Sequence, residues 1–370
     1  MKLSALNQRR WTNFKSNKRA YYSLILFALL YGISLFAEVL ANDRPLMVSY
    51  KGAWHAPFVR FYSEADFGGD FRTEANYKSA EVQCLIKAGG SLACFDDPKG
   101  VAAEAETSGT AAGEPVEKGW ILWAPIPFSY NTINDLGGLS APSAPDSTHL
   151  LGTDDTSRDV VARVIYGFRL SVTFALIVTA LTSVIGIFAG AVQGYFGGIV
   201  DLVFQRVIEI WSSTPTLYVL IIVAAIWRMN FWLLVGMSVV FGWTGLVGVV
   251  RAEFLRARNF EYVRAARALG VPDHKIMFRH VLPNAMVATL TMLPFIVSGA
   301  ISSLATLDFL GFGLPSDLPS LGELTLQAKQ NLQTPSLAFT AFFTFAIMLS
   351  LLVFIFEGIR DAFDPRKTFR

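Results

Sequence analysis

The chain has 370 residues, 53% of them hydrophobic and 16% charged, with a mean hydropathy of +0.44. Soluble domains carry about 25% charged residues, so this composition excludes an ordinary soluble protein and points to a membrane. The net charge of +2 is too small to argue for a polyanionic partner, and the basic residues fall beside apolar runs, which accounts for them without nucleic acid.

Residues 1–20 form a basic arm. Every charged side chain before the first apolar run is positive: Lys2, Arg9, Arg10, Lys15, Lys18 and Arg19, with Trp11 and Phe14 among them. That mix suits an interfacial helix on an anionic leaflet, and a solvated tail is the alternative. Residues 21–41 are nearly uncharged and long enough for a bilayer core of about 30 Å. A cleaved signal peptide would have an apolar core of about 7–15 residues ending in a small-x-small site, which Ala37-Glu38-Val39-Leu40-Ala41 does not supply. The run therefore reads as a first span with its N-terminus inside.

Residues 42–163 are soluble-like and are expected outside, as a periplasmic insert. Trp54, Phe58, Phe61, Tyr62, Phe67, Phe71, Trp120, Trp123 and Phe128 supply aromatic bulk for a small folded unit. VAAEAETSGTAAGEPVEKG between them reads as a low-complexity loop. Cys84 and Cys94 flank Gly89-Gly90, a hairpin signal, and in an oxidising compartment they make a disulfide candidate, with two free thiols as the alternative. The prolines of SAPSAPDST, residues 140–148, look like a linker back toward the membrane.

Further apolar runs fall near 167–192, 202–227, 231–251, 286–307 and 336–358, making six expected spans in an all-α membrane protein. The five later ones form a core over residues 164–358. With the N-terminus inside, the loop 254–285 is also inside, holding Arg256, Arg258, Arg264, Arg267, Lys275 and Arg279. So is the tail 359–370, with Arg360, Arg366, Lys367 and Arg370. Turns expected outside, 228–230 and 309–334, are poor in Lys and Arg, as the positive-inside rule requires. Gly186, Gly190 and Gly194 recur every four residues and offer a smooth face for helix contact; Gly242, Gly245 and Gly248 offer a second. Arg206 and Glu209, three apart, form a candidate intramembrane pair, structural or part of a proton relay. Ser212, Ser213, Thr214 and Pro215 then predict a kinked polar helix.

The stretch 261–285, EYVRAARALGVPDHKIMFRHVLPNA, interrupts two apolar runs. Glu261 to Leu269 is built from helix formers, Gly270 suits a helix C-terminus, and Pro272 bars continuation. A second short helix carries Ile276, Met277, Val281 and Leu282, and Pro283 marks a turn into the next span. The pattern predicts an amphipathic elbow showing small residues and arginines to a partner; an ordinary surface turn is the alternative. No GxxxxGK[ST] loop, HExxH or GxSxG is present, and His55, His149, His274 and His280 are dispersed. The chain is therefore expected to hold no metal and no ATP site of its own.

Ala265-Ala266, Gly270 and Leu282-Pro283 resemble the cytoplasmic coupling loop of type I ABC-importer permeases of the peptide/oligopeptide family. In that family the loop opens on an acid before two alanines; here Arg264 stands in that place and Glu261 lies a turn earlier. LLGTDDTSRDVVARVIYGFRLSV (150–172) resembles the family's lead-in to its second span, with Ser157 where the family usually has glycine. DLVFQRVIEIWSSTPTLYVL (201–220), LDFLGFGLP (307–315) and EGIRDAFDPR (357–366) also resemble it, while the opening arm, the insert and IPFSYNTIND (126–135) resemble one narrower branch. The resemblance implies a second, different permease subunit, two ATPase subunits that bind the ATP and Mg, and a periplasmic peptide-binding protein. It implies that Ala265, Ala266 and Gly270 dock on an ATPase, with Arg264, Arg267 and Arg279 supplying charge contacts.

Overall fold

A computed structural model of the chain describes residues 5–111, 113–138 and 140–363. Lys2 and the basic tail residues Arg366, Lys367 and Arg370 lie outside the described residues. The chain divides into one unit of Met1–Gly32 with Gly167–Arg370, and a second of Ile33–Tyr166.

The second unit corrects several expectations. It is not purely helical: Met47–Tyr50 pairs antiparallel with both Ala53–His55 and Trp120–Leu122. Tyr50 pairs with Ala53 across Lys51 and Gly52, both at positive φ (47° and 70°), the two-residue turn whose twist suits a hairpin. Its core is Val48, Tyr50, Phe67, Tyr77, Val82 and Ile86, with Tyr62 and Trp123 against it. Of the expected aromatic bulk, Trp54, Phe61, Phe71 and Trp120 are instead exposed.

Cys84 and Cys94 are joined by a disulfide, but no hairpin lies between them. Cys84 sits in the helix Ala80–Lys87 and Cys94 in the 3-10 turn Leu92–Phe95, with Gly89 and Gly90 reversing the chain at positive φ. The buried spacing of Val82, Leu85 and Ile86 is helical, and Ser79 caps the helix by accepting from the Val82 N–H at 3.2 Å. The supposed low-complexity loop starts with another helix, Pro98–Thr107, capped by Asp97 and burying Val101 and Ala105 beside both cysteines. Alanine-rich composition hid a helix that needs little apolar surface because the disulfide lies under it.

The supposed linker is tied down as well. The Ser143 N–H donates to Thr153 Oγ1 at 3.0 Å. Asp154, fully buried, accepts from Arg158 Nε and from its backbone N–H, each at 2.8 Å, and pairs with Arg163 at 3.4 Å. Asp159 accepts from the Ala162 N–H at 2.8 Å, closing the N-terminus of the helix Val160–Phe196, and meets His149 at 2.9 Å. Ser157 in this loop has φ 62°, the left-handed region where a Cβ costs energy.

Among the described residues, four helices are long and apolar enough to cross a membrane: Val160–Phe196, Phe231–Ala257, Asp273–Phe309 and Pro335–Phe363. Gly198–Ser213 and Thr216–Ile226 make a fifth candidate, bent by 62° where Pro215 breaks the ladder. The first expected span, residues 21–41, falls on the helix Lys18–Leu35 and the short helix Ala37–Leu40. Opening on two charges, Lys18–Leu35 is not among these candidates, so four or five of the six expected spans are present among the described residues.

The glycine face is a close helix seam. A Cβ on Gly186 would lie 2.6 Å from the Trp243 carbonyl oxygen, on Gly190 2.8 Å from that of Val247, and on Gly194 2.5 Å from that of Arg251. The second glycine face does less: a Cβ on Gly242 would lie 3.2 Å from the Thr182 methyl, whereas one on Gly245 or Gly248 would meet nothing within 4 Å. In the LDFLGFGLP segment, Asp308 is 2% exposed, accepts from the Leu314 N–H at 2.7 Å, and bonds the Ser320 hydroxyl. Ser320 in turn caps Leu321–Gln330 at the Gly322 and Glu323 N–H groups.

Two stability predictions follow from these conformations. Ser157→Gly relieves the left-handed strain and raises stability by about 1 kcal/mol, read as a higher unfolding midpoint in detergent; an unchanged or lower midpoint refutes the strain. Gly190→Ala overpacks the seam and costs about 1–3 kcal/mol, while Gly248→Ala in the same assay is neutral or stabilising by up to about 1 kcal/mol.

Candidate coupling elbow and its anchorage

The elbow begins where the glycine seam ends. Glu261–Ala268 forms a short helix with Glu261 in its first turn, where a carboxylate suits the positive helix end. Two hydrogen bonds then close it: the Gly270 N–H donates to the Arg267 carbonyl at 3.0 Å, and the Val271 N–H to that of Ala266 at 3.1 Å. This is a Schellman cap, and Gly270 supplies its left-handed residue at φ 75°. A Cβ there would meet nothing within 4 Å, so backbone conformation, not close approach, requires the glycine.

One face of the elbow is locked down. Val263, Ile276, Met277 and Val281 are buried with Ala191 and Tyr195 of the long helix, Val250, Phe254 and Ala257 of the next, and Ala285. Ala266, Val271 and Leu282 pack partly onto the same core. Ala266 is thus half anchor, while Ala265, Ala268 and Gly270 face outward with Leu269, 83% exposed. Arg264 and Arg279 are exposed.

Arg267 is exposed as well, yet its guanidinium reaches back to Tyr195. Its guanidinium lies 5.3 Å from the Tyr195 ring centroid and 3.8 Å from the Asp273 carboxylate, and the Tyr195 hydroxyl donates to that carboxylate at 2.5 Å. Contact with the Tyr195 hydroxyl raises the Arg267 pKa above its ordinary value. Residues from both halves of the elbow therefore converge on one buried tyrosine. Nothing in the local sequence marks Tyr195 or Asp273, because the two are separated by 78 positions.

Pro283 does not make the expected turn. Ile276–Val281 is a π-helix that runs on into Leu282–Phe309 with the proline in its first turn, one apolar helix from Asp273 to Phe309. The wider π-turn accommodates a residue that cannot donate to the ladder.

Arg206 and Glu209 pair at 2.5 Å, with side chains 77% and 56% exposed, on a helix none of whose residues is buried. A second pair escaped the sequence: Arg251 grips Asp201 through two bonds of 2.5 and 2.6 Å, joining Gly198–Ser213 to the helix Thr244–Ala257 beneath the elbow. Its partners lie 50 residues apart, beyond any local pattern.

Residues 182–369 match the binding-protein-dependent transport system inner membrane component family, and residues 6–57 match the N-terminal TM domain of oligopeptide transport permease C. Over 99% of its length the chain is 50% identical to the peptidoglycan transport system permease protein YejE of Agrobacterium fabrum, covering 95% of that protein. It is also 50% identical to the inner membrane ABC transporter permease protein YejE of Escherichia coli, over 99% of both chains. With the oligopeptide transport system permease protein OppC of Lactococcus lactis it shares 33% identity over 65% of this chain and 83% of that one. The glycine seam and the elbow fall within the first match, and the chain belongs to the family of binding-protein-dependent ABC transporter permeases of the inner membrane.

Proposed function

We propose that the chain forms half of the translocation pathway for peptides across a bacterial inner membrane, and that its elbow couples this pathway to ATP hydrolysis on partner subunits. The observation that carries the reading is the elbow: a capped helix, rigidly anchored on one face, that leaves Ala265, Ala268 and Leu269 exposed on the other. Small side chains let a partner backbone approach closely, and Leu269 offers an apolar knob to a pocket. Arg264 and Arg279 supply charge contacts, while Arg267 positions the elbow.

Peptides as cargo are supported by relatives named as oligopeptide permeases and by one named for peptidoglycan transport. In this reading the chain spans the bilayer six times with both ends inside, Lys18–Leu35 providing the first span, and residues 42–163 outside meet the binding protein or brace the second permease. Two ATPase subunits hold the ATP and Mg; closing their dimer displaces the elbow, and the long helices that share its core move with it.

Co-purification from mild detergent tests the assembly: the tagged chain should bring down a different permease and an ATPase, and recovery of a stable chain alone would reject it. Gly270→Val places a β-branched residue at φ 75° and should leave the complex assembled yet lower ATP-driven peptide uptake into proteoliposomes about tenfold; unchanged uptake would remove the elbow from coupling. Tyr195→Phe deletes one hydrogen bond to a half-exposed carboxylate, worth about 1 kcal/mol. The chain should fold as before, with faster hydrogen exchange over 261–272 and fewer peptides moved per ATP; unchanged exchange would show that Tyr195 does not position the elbow.

A further inference from the structure

Beyond transport itself, the structure carries a groove between the two ends of the first unit. The helix Ala5–Ser16 turns sharply at Asn17 into Lys18–Leu35 and packs against the end of Pro335–Phe363. Phe14 and Ala20 are buried with Ala362, close against Gly358. Alongside lies a groove of about 380 Å³, within the range of small-molecule sites. Among the described residues, Trp11, Phe14, Leu24, Ile355, Ile359, Ala362 and Phe363 form its apolar wall, and Arg10 is its one polar lining residue.

On its N-terminal side the charge is positive, while the C-terminal helix carries Glu357 and Asp361 beside Arg360. Arg10 lies 4.5 Å over the Phe363 ring, and Lys15 lies 5.2 Å over Trp11, a wall residue. Lys18 and Arg19 are exposed at the next turn. On the six-span topology proposed above, on which this inference rests, Leu24 and Ile355 belong to helices that enter the bilayer. A slot with hydrocarbon walls, open to a cationic rim at a membrane surface, matches a molecule with an acyl chain and an anionic head. We propose that this groove binds an anionic phospholipid, its acyl chain along Leu24, Ile355 and Ile359 and its phosphate at Arg10 and Lys15, clamping the N-terminal helix to the C-terminal one.

The test is native mass spectrometry of the intact complex extracted from nanodiscs of phosphatidylcholine with a minority of phosphatidylglycerol. The wild type should retain phosphatidylglycerol well above its share of the nanodisc. Lys15→Gln should cut that enrichment about fivefold, the weight of one basic residue at an anionic surface. Ala362→Trp, which fills the groove, should abolish retention, and Leu24→Trp does the same from the other wall should the first fail to assemble. Retention at the bulk lipid ratio by the wild type, or enrichment that survives groove filling, would overturn the proposal. So would equal retention of both lipids, which would mean that the groove takes any acyl chain.

Discussion

The architecture of the first unit rests on contact between two backbones. Along Gly186, Gly190 and Gly194 the long helix presents no side chain, and the carbonyls of Trp243, Val247 and Arg251 occupy the space a Cβ would need. In a bilayer, apolar surface gives little driving force between helices, so close van der Waals approach has to replace it. The seam fixes the distance between these helices, and that distance in turn defines the pocket for Val263, Ile276 and Met277. Arg251 lies at the same level, its carbonyl against Gly194 and its guanidinium holding Asp201. One residue thereby ties the seam to the broken helix.

The elbow is an extension of that packing rather than a loop hung from it. Its inner face is as apolar and as buried as the helices beneath, and its turn is satisfied by its own backbone through the Schellman cap. A segment with few internal degrees of freedom passes displacement on instead of absorbing it. The π-turn before Pro283 serves the same end: the chain passes a proline without losing continuity with the next helix.

What could be read from the sequence follows from the range of the interactions. The glycine period, the Gly270–Pro272 break and the 62° bend at Pro215 are set within a few residues, and each stands where the pattern put it. Ser157 standing where glycine is usual has a physical correlate in its left-handed backbone. Readings failed where a local signal was ambiguous. Gly89-Gly90 fits a hairpin or a helix-to-helix reversal, and the neighbouring Val82–Leu85–Ile86 spacing decided for the helix. Pro283 fits a turn or a first helical position, and the π-segment decided for the second. Asp201–Arg251 and Tyr195–Asp273 were beyond reach, since each joins residues at least 50 positions apart and no periodicity connects them.

The helix from Asp273 to Phe309 has a mechanical consequence. Its 37 residues make a rod of about 55 Å, longer than a bilayer core is thick. At one end it carries the elbow. At the other, Asp308 organises the loop through Leu314 and Ser320, and with it the start of Leu321–Gln330. Partway along, Pro294 removes a single ladder bond. The two ends are therefore mounted on one shaft with a soft joint, and a tilt imposed on the elbow end swings the Asp308 loop in the opposite sense, as a seesaw would.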